Sequence, residues 1–416
     1  MGKDAKAKRR YSHVIAATCF GIQAVGIGTY FSYGVLFNPL IEEFGWSRAL
    51  VSGAASLAFL LMGFLGIGVG RLNDRFGPRV LMTVSGIFFG LGYFLMSRLE
   101  AIWQLYLFFG TIFGIGLSTV DVIALTTIAR WFVRKRGIVT GIVKVGTGAG
   151  QMVIPFLVSV LIIRYGWRSS CVIVGVAVLI MLVAIAQLLR RDPSQMGLAP
   201  DGNASTSADS SVLDAEGLSL SEALHSRQFW TMCAAMLAIV YCLMTIMVHI
   251  APYAQELKIS PTRAASVLST IGGVSMAGRF ICGFTIDRIG SKRVMIFCFI
   301  LLIAVLLWLQ IATELWMLYL FAVFYGLAHG GFFTAFSPIV AEFFGIKSHG
   351  ALFGITMFFG MFGGALGPFM AGYVFDITGA YAGAIWICIV ISVLGFLLVA
   401  LLKPAMEDAG ANISSP

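Results

Sequence analysis

Charged residues are scarce in this chain: Asp, Glu, Lys and Arg make up only 11% of its 416 residues, whereas 59% are hydrophobic. Because soluble proteins carry roughly 25% charged residues, this shortage excludes an ordinary soluble protein. At about 20 apolar residues per membrane-spanning helix, the apolar content suffices for roughly a dozen spans in a lipid bilayer. Little sequence is left over for a large soluble domain.

Residue patterns of several other protein classes are missing as well. The seven cysteines form no CxxC pair, so we interpret them as small buried apolar residues and expect no metal site. Neither GxSxG nor HExxH occurs, and we therefore expect no enzyme activity and no cofactor. The net charge of +9 raises nucleic acid as a partner, but the basic residues cluster between apolar stretches, which favours membrane topology instead.

Twelve apolar stretches can be marked off, most of them separated by very short turns. The one long break, residues 190–227, is rich in Ser, Asp, Gly and Pro and predicts a flexible cytoplasmic linker. It divides the chain into a six-helix bundle at 1–189 and a second at 228–416. The predicted spans are about 12–41, 47–71, 77–97, 101–130, 137–163, 167–189, 228–255, 261–286, 292–313, 315–342, 350–375 and 380–402.

The basic residues predict the orientation of these spans. With the N-terminus in the cytoplasm, 20 of the 28 Lys and Arg residues lie at inner ends, 6 at outer ends and 2 within spans. Inner loops of membrane proteins carry the excess of positive charge, so both termini are predicted to be cytoplasmic. The first apolar stretch is too long for a signal-peptide core, and we expect it to be retained.

The chain contains an internal repeat. GRLNDRFGPR, residues 70–79, follows the second span, and GFTIDRIGSK, residues 283–292, follows the eighth, at an offset of 213 residues. The same offset relates glycines and a proline of the fifth span to those of the eleventh. Two distant segments that share one offset indicate a parallel repeat of two six-helix halves.

These motifs resemble a known family. The pattern GxxxDRxGxR, present in both halves, is similar to the signature of the major facilitator superfamily. WFVRKRGIVTGIVKVGTGAG, residues 131–150, resembles the monocarboxylate-transporter signature, and FSYGVLFNPLIEEFGWSRALVS, residues 31–52, is similar to those proteins and to the bacterial oxalate–formate antiporters.

The resemblance implies an all-α membrane protein of twelve transmembrane helices in two pseudo-symmetric six-helix bundles, with a substrate cavity between them. It also implies a multi-pass protein of the plasma membrane, in bacteria the inner membrane.

Arg279 is the first candidate for an anion site. An ionisable residue deep in a span is costly and marks a functional site by default, and Arg279 lies about 12 Å from the cytoplasmic end of the eighth span. Its rigid guanidinium matches a carboxylate, although a structural pairing is the alternative. The resemblance implies the same role, but animal members of the family have an aspartate where this chain has Ser275. Proton coupling therefore needs another group.

Asp121 and Lys144 lie at similar depth in neighbouring spans and are predicted to be able to pair. They either form a structural ion pair that neutralises two buried charges or act as a proton switch. In the switch, protonation of Asp121 would release Lys144.

Further polar side chains near the presumed path have open roles. His329 lies near mid-depth and is either a packing residue or a proton carrier and donor. Tyr325, one turn before it, is a candidate donor to the anion. Tyr30 and Tyr33 are further donors, unless they only mark the outer interface. His249, towards the outer end of the seventh span, belongs to a gate or to proton coupling.

The repeated motif supplies candidate gating residues. Asp74 and Asp287 stand beside arginines on short cytoplasmic turns; the resemblance implies an inner latch, and tight-turn chemistry is the alternative. The full gating set is Gly70, Asp74, Arg75, Gly77, Asp287, Arg288 and Gly290.

One deep arginine suits an anion with a single carboxylate. The oxalate–formate antiporters carry a lysine in the eleventh span for a second carboxylate, and GITMFFGMFGGALGP, residues 354–368, has none. We therefore predict proton-coupled symport of a small monocarboxylate such as lactate or pyruvate by alternating access. Electroneutral anion exchange is the alternative, and a transporter-like sensor is a third class that the short tails disfavour.

Overall fold

A computed structural model of the protein describes residues 3–46, 48–198 and 217–402. Apart from short turns and caps, these residues are helical. The long α-helices before the predicted linker are α1 Lys3–Phe31, α2 Tyr33–Phe44, α3 Arg48–Phe76, α4 Pro78–Met96, α5 Ile102–Leu105, α6 Gly114–Leu117, α7 Val120–Trp131 and α8 Arg136–Gln187, of which α5 and α6 are single turns. After the linker come α9 Leu220–His225, α10 Arg227–Glu256, α11 Pro261–Ile289, α12 Ser291–Ile311, α13 Leu315–Phe344, α14 His349–Thr378 and α15 Ala382–Leu401.

Within the described residues, eleven helical stretches are long and apolar enough to cross a membrane. One of them, α8, has 52 residues, about 78 Å at 1.5 Å per residue, far more than the ~30 Å of a bilayer core. Gly166 interrupts α8 with a φ of +75°, a conformation that favours glycine. Thus α8 supplies two spans, and the prediction of twelve transmembrane helices is confirmed.

The fourth predicted span, 101–130, is less regular than a single α-helix. It begins with α5, continues as a π-helix over Tyr106–Phe113, and breaks briefly at Ser118 and Thr119 before α7. A Cβ atom at Gly114 would lie only 3.0 Å from Cα of Ala58 in α3, so the wide turns form where this span packs closely on its neighbour.

The chain divides into two compact units. The first comprises Met1–Arg134, Val143–Glu216 and Ser348–Gly354, and the second comprises Lys135–Ile142, Gly217–Lys347 and Ile355–Pro416. The units follow the predicted halves except at two short segments, 135–142 and 348–354, which are related by the offset of 213. Residues 199–216 of the predicted linker lie outside the described residues.

Matching glycine contacts reproduce the repeat inside the units. In the second unit, a Cβ atom at Gly137 would lie 2.4 Å from the carbonyl oxygen of Gly283. In the first unit, a Cβ atom at Gly70 would lie 2.1 Å from the carbonyl oxygen of Gly350. Since 137 and 70 differ from 350 and 283 by the same 213 residues, the two contacts are equivalent. Both require that no side chain stand between the helix backbones.

Candidate functional site

Three polar residues meet where α11 packs against α13 in the second unit. Ser275, Arg279 and His329 are buried, at 3%, 8% and 6% exposure. The Ser275 hydroxyl lies 2.8 Å from Nδ1 of His329. Ser275 and Arg279 are four residues apart and therefore share one face of α11. The structure thus brings the predicted anion-binding arginine, the serine and the histidine into one region.

A glycine makes this close approach possible. A Cβ atom at Gly330, next to His329, would lie 2.2 Å from the carbonyl oxygen of Ser275 and 2.7 Å from the backbone nitrogen of Arg279. The Thr334 hydroxyl lies 3.4 Å from the carbonyl oxygen of Arg279. The backbone that carries Arg279 is therefore held directly against α13, which fixes the position of the arginine in the unit.

Tyr325 lies one turn from His329, with 6.0 Å between ring centroids. Its side chain is fully buried, and its hydroxyl donates to the carbonyl oxygen of Leu243 in α10 at 2.7 Å. An anion would have to compete with this bond for the phenol proton. The predicted donor is near the histidine, but its proton is already used in packing α13 on α10.

Tyr30 and Tyr33 belong to the first unit. Tyr33 is 3% exposed and donates to the carbonyl oxygen of Val51 at 2.7 Å, and Tyr30 donates to Ala55 at 3.3 Å. Both rings stack on Phe109 of the π-helix, with centroid distances of 4.1 Å for Tyr33 and 6.3 Å for Tyr30. In the structure these two tyrosines join α1 and α2 to α3.

Asp121 and Lys144 form an ion pair inside the first unit. Lys144 Nζ of α8 lies 2.5 Å from Asp121 Oδ1 of α7, and the two residues are only 5% and 7% exposed. The pairing that their predicted depths allow is present. Whether it serves structure or proton coupling is a question of chemistry that the distance alone does not answer.

Two neutral residues extend this pair and were missed in the sequence. Gln23 of α1 donates through Nε2 to the same Asp121 Oδ1 at 2.7 Å, and Thr147 of α8 donates to Gln23 Oε1 at 2.8 Å. Gln23 is fully buried. It is the one amide in the apolar run VIAATCFGIQAVGIGTYF, residues 14–31, and that isolation is the signal that would have marked it.

His249 lies apart from the arginine, towards the outer end of α10. Its Nε2 is 3.0 Å from the carbonyl oxygen of Pro368 in α14, and its Nδ1 is 3.2 Å from the Tyr381 hydroxyl. A carbonyl only accepts, so Nε2 carries the hydrogen and Nδ1 of the neutral ring accepts from Tyr381. This histidine joins three segments of the second unit.

The two motif aspartates accept hydrogen bonds from helix N-termini. Asp287 accepts from the backbone nitrogens of Gly137 at 2.6 Å and Ile138 at 2.9 Å, in the first turn of α8. Asp74 accepts from the backbone nitrogen of Ala351 at 3.2 Å, in the first turn of α14. Carboxylates at helix N-termini satisfy unpaired amides and complement the helix dipole. Ile138 and Ala351 are again 213 residues apart.

The other motif residues shape these turns. Gly77 and Gly290, equivalent in the repeat, have φ values of +82° and +87°, which disfavour any side chain. Arg75 and Arg288 are exposed, and each guanidinium lies over a neighbouring phenylalanine ring. Asp74 has a further partner, because Arg130 bonds to it at 3.3 Å and to Asp192 at 3.1 Å.

The family comparison agrees with this architecture. The family profile described as Major Facilitator Superfamily matches residues 18–276 and 243–415, which together cover most of the chain. The fold is similar to that of the proton:xylose symporter XylE, solved with bound 6-bromo-6-deoxy-D-glucose. That match has a TM-score of 0.75 at 15% sequence identity and covers 94% of this chain and 96% of that one.

Relatives in sequence carry different names. The chain is 24% identical over 448 residues to monocarboxylate transporter 7 of Homo sapiens, covering 94% of this chain and 86% of that protein. It is 28% identical over 275 residues to the oxalate:formate antiporter of Oxalobacter formigenes, covering 64% of this chain and 62% of that protein. The relatives thus include two kinds of carboxylate transporter.

Proposed function

Since the chain belongs to the Major Facilitator Superfamily and is a multi-pass membrane transporter, we propose that it carries small monocarboxylates, lactate, pyruvate or a similar anion, together with a proton by alternating access. The observation that carries this proposal is the buried Arg279 beside the Ser275–His329 pair. Similarity to monocarboxylate transporters supports the same substrate class.

In this proposal Arg279 binds the substrate carboxylate with its two parallel N–H groups. If the Ser275 hydroxyl donates to Nδ1 of His329, the neutral imidazole carries its hydrogen on Nε2. That N–H is then a donor for an oxygen of the substrate. Ser275 thus acts on the anion through His329, in a position where the animal relatives have a carboxylate.

Proton coupling is assigned to Asp121 and Lys144. A proton that adds to Asp121 removes its negative charge, and Lys144 keeps its own proton and loses its counter-charge. A substrate carboxylate can then compensate the lysine, so that proton and anion enter the transport cycle together. His249 is a second coupling group in this scheme, acting through its bonds to Pro368 and Tyr381.

The motif residues are proposed to act as inner latches. Asp74 and Asp287 hold the first turns of α14 and α8 through backbone amides, and Gly70, Gly77 and Gly290 provide the close contacts and turns that this requires. Arg75 and Arg288 lie exposed beside them. We place the protein in the plasma membrane, in bacteria the inner membrane, with both termini cytoplasmic, because of its inner excess of positive charge.

Exchange of one anion for another is the second candidate, supported by the similarity to an oxalate:formate antiporter. It needs no proton site. Counterflow that requires internal anion but continues without a proton gradient would favour exchange.

The test is uptake of labelled lactate, pyruvate, formate and oxalate into proteoliposomes, with and without an inward proton gradient. Arg279→Ala is expected to lower uptake of the preferred anion by about 30-fold or more, since removal of one partner of a buried charge pair costs 2–5 kcal/mol. Arg279→Lys keeps the charge but loses the planar fork and is expected to be intermediate. Arg263→Ala, an exposed arginine on the same helix, is the matched control. Lactate uptake that survives in Arg279→Ala contradicts the proposal.

A further inference from the structure

The two hydrogen bonds to Asp121 converge on one atom. Lys144 Nζ, at 2.5 Å, and Gln23 Nε2, at 2.7 Å, both donate to Oδ1. The donors come from different helices, Lys144 from α8 and Gln23 from α1. The bonded oxygen therefore carries the cation and the amide together, and Oδ2 is the oxygen to which a proton adds.

The orientation of the Gln23 amide follows from this contact. An ionised carboxylate only accepts hydrogen bonds, so the NH₂ group of Gln23 must face Asp121 and its carbonyl oxygen must face Thr147. The Thr147 hydroxyl donates to that carbonyl oxygen at 2.8 Å. Thr147 lies one turn after Lys144 on α8, and the same helix thus provides both the cation and the hydroxyl that orients the amide.

The other helices that pack against α7 meet it with neutral groups. Asn73 of α3 donates to Thr126 at 2.9 Å, and Thr119 donates to Ser85 of α4 at 2.7 Å. Arg130, further along α7, is bonded to Asp74 and Asp192. Among the contacts of Asp121 in the described part of the chain, Lys144 contributes the charge and Gln23 the neutral donor.

We infer that Gln23, oriented by Thr147, is a positioning residue that holds the ionised Asp121 against Lys144 and thereby sets the pH at which this pair opens during transport. The inference rests on the proposed proton coupling through Asp121. When a proton adds to Oδ2, the carboxylate becomes neutral, Lys144 remains an ammonium, and no other bond forms or breaks. Gln23 opposes this step because its N–H bond is strongest to the charged carboxylate.

Removal of the amide should therefore make the pair open at lower proton concentration. Hydrogen bonds to charged groups are worth more than those between neutral groups, and a tenfold change in proton affinity is one pH unit. In Gln23→Leu, which keeps the approximate side-chain size, the pH of half-maximal uptake should rise by about one unit. Thr147→Val should shift it in the same direction by less, and Thr147→Ser should restore the wild-type value.

The experiment measures labelled lactate uptake into proteoliposomes over a series of external pH values at constant membrane potential. Gln151→Leu, at an exposed position on α8, is the matched control and should leave the pH of half-maximal uptake unchanged. In an Asp121→Asn background, Gln23→Leu should cause no further shift, because the group that it positions can no longer ionise.

The outcomes separate the inference from the proposed function. Wild-type uptake that does not respond to the proton gradient contradicts proton-coupled transport itself. Proton-dependent wild-type uptake together with an unshifted profile in Gln23→Leu overturns the inference alone. Size-exclusion chromatography shows whether Gln23→Leu folds; should it not, Thr147→Val decides, because Thr147 is partly exposed and only its hydroxyl is removed.

Discussion

Asp287 Oδ1 lies 2.6 Å from the backbone nitrogen of Gly137, so a side chain of the eighth predicted span caps the first turn of the fifth. Its other oxygen accepts from Ile138 at 2.9 Å. The equivalent aspartate of the repeat, Asp74, caps the first turn of α14 through Ala351. The repeated sequence motif is therefore also a repeated hydrogen-bonding motif.

The first prediction concerns this cap. In Asp287→Ala the Gly137 and Ile138 amides lose their acceptor, at a cost of about 0.5–2 kcal/mol for a helix cap. Hydrogen exchange of the peptide that contains them should become about tenfold faster. Asp376→Ala, an exposed carboxylate on α14, serves as the control and should leave that peptide unchanged. Equal exchange in wild type and Asp287→Ala would contradict the cap.

The second prediction concerns the close contact at Arg279. A Cβ atom at Gly141 would lie 2.4 Å from the carbonyl oxygen of Arg279, a backbone atom that cannot swing away. Gly141→Ala should therefore destabilise the protein by about 1–3 kcal/mol and lower lactate uptake. Gly272→Ala on α11, where the new Cβ atom has open space, is the matched control. A melting temperature that falls equally in both variants would argue against a specific clash.

The third prediction is a pH dependence outside the spans. Glu43 accepts hydrogen bonds from Arg168 and from Trp167 Nε1, and these bonds lower the pKa of Glu43 below its usual value of 4.5. A lowered pKa stabilises the fold at pH values above the unfolded pKa, and this stability is lost as the pH falls through the folded pKa. Because the Arg168 and Glu43 side chains are 41% and 39% exposed, the effect should be at most about 1 kcal/mol.

Melting of the purified protein at about pH 7 and about pH 3.5 checks this expectation. Glu43→Gln should lose less stability on acidification than wild type, because its side chain does not titrate. The neighbouring Glu42→Gln should behave like wild type. An identical acid response in Glu43→Gln would show that the carboxylate makes no contribution.

The fourth prediction tests His249. In Tyr381→Phe, Nδ1 of His249 loses the hydroxyl that lies 3.2 Å away, a net loss of about 0.5–1.5 kcal/mol. If His249 takes part in proton coupling, the pH profile of lactate uptake should shift in this variant. A change in rate at an unchanged profile would assign the histidine to a structural or gating role at the outer end.

Much of the fold was predictable because it depends on local hydropathy and on spacing. The twelve spans follow from apolar length, and the contact of Gly137 with Gly283 follows from an offset that is visible in the sequence. The continuity of α8 across Gly166 was not predicted, because a glycine with positive φ looks in sequence like any turn glycine. The π-helix was also missed, since its wide turns arise from packing against α3.

The candidate site was predictable only where a charge stands in an apolar run. Asp121, Lys144 and Arg279 are conspicuous for that reason. Gln23 was missed because a neutral amide changes local hydropathy little, and its role depends on which helix faces it. The hydroxyl of Tyr325 donates to Leu243, a partner fixed by the packing of three-dimensional neighbours rather than by any pattern along the chain.

The π-helix Tyr106–Phe113 sets the helical phase of everything that follows it in the fourth span. Each of its hydrogen bonds encloses one residue more than in an α-helix, so the segment behaves like an α-helix with an inserted residue. Deleting one residue there and closing the turns to α-helical form would rotate Asp121 by about 100° about the helix axis, the angle of one residue. The carboxylate would then turn away from Gln23 and Lys144. The alignment of the buried pair with its partners thus depends on one surplus residue two turns upstream.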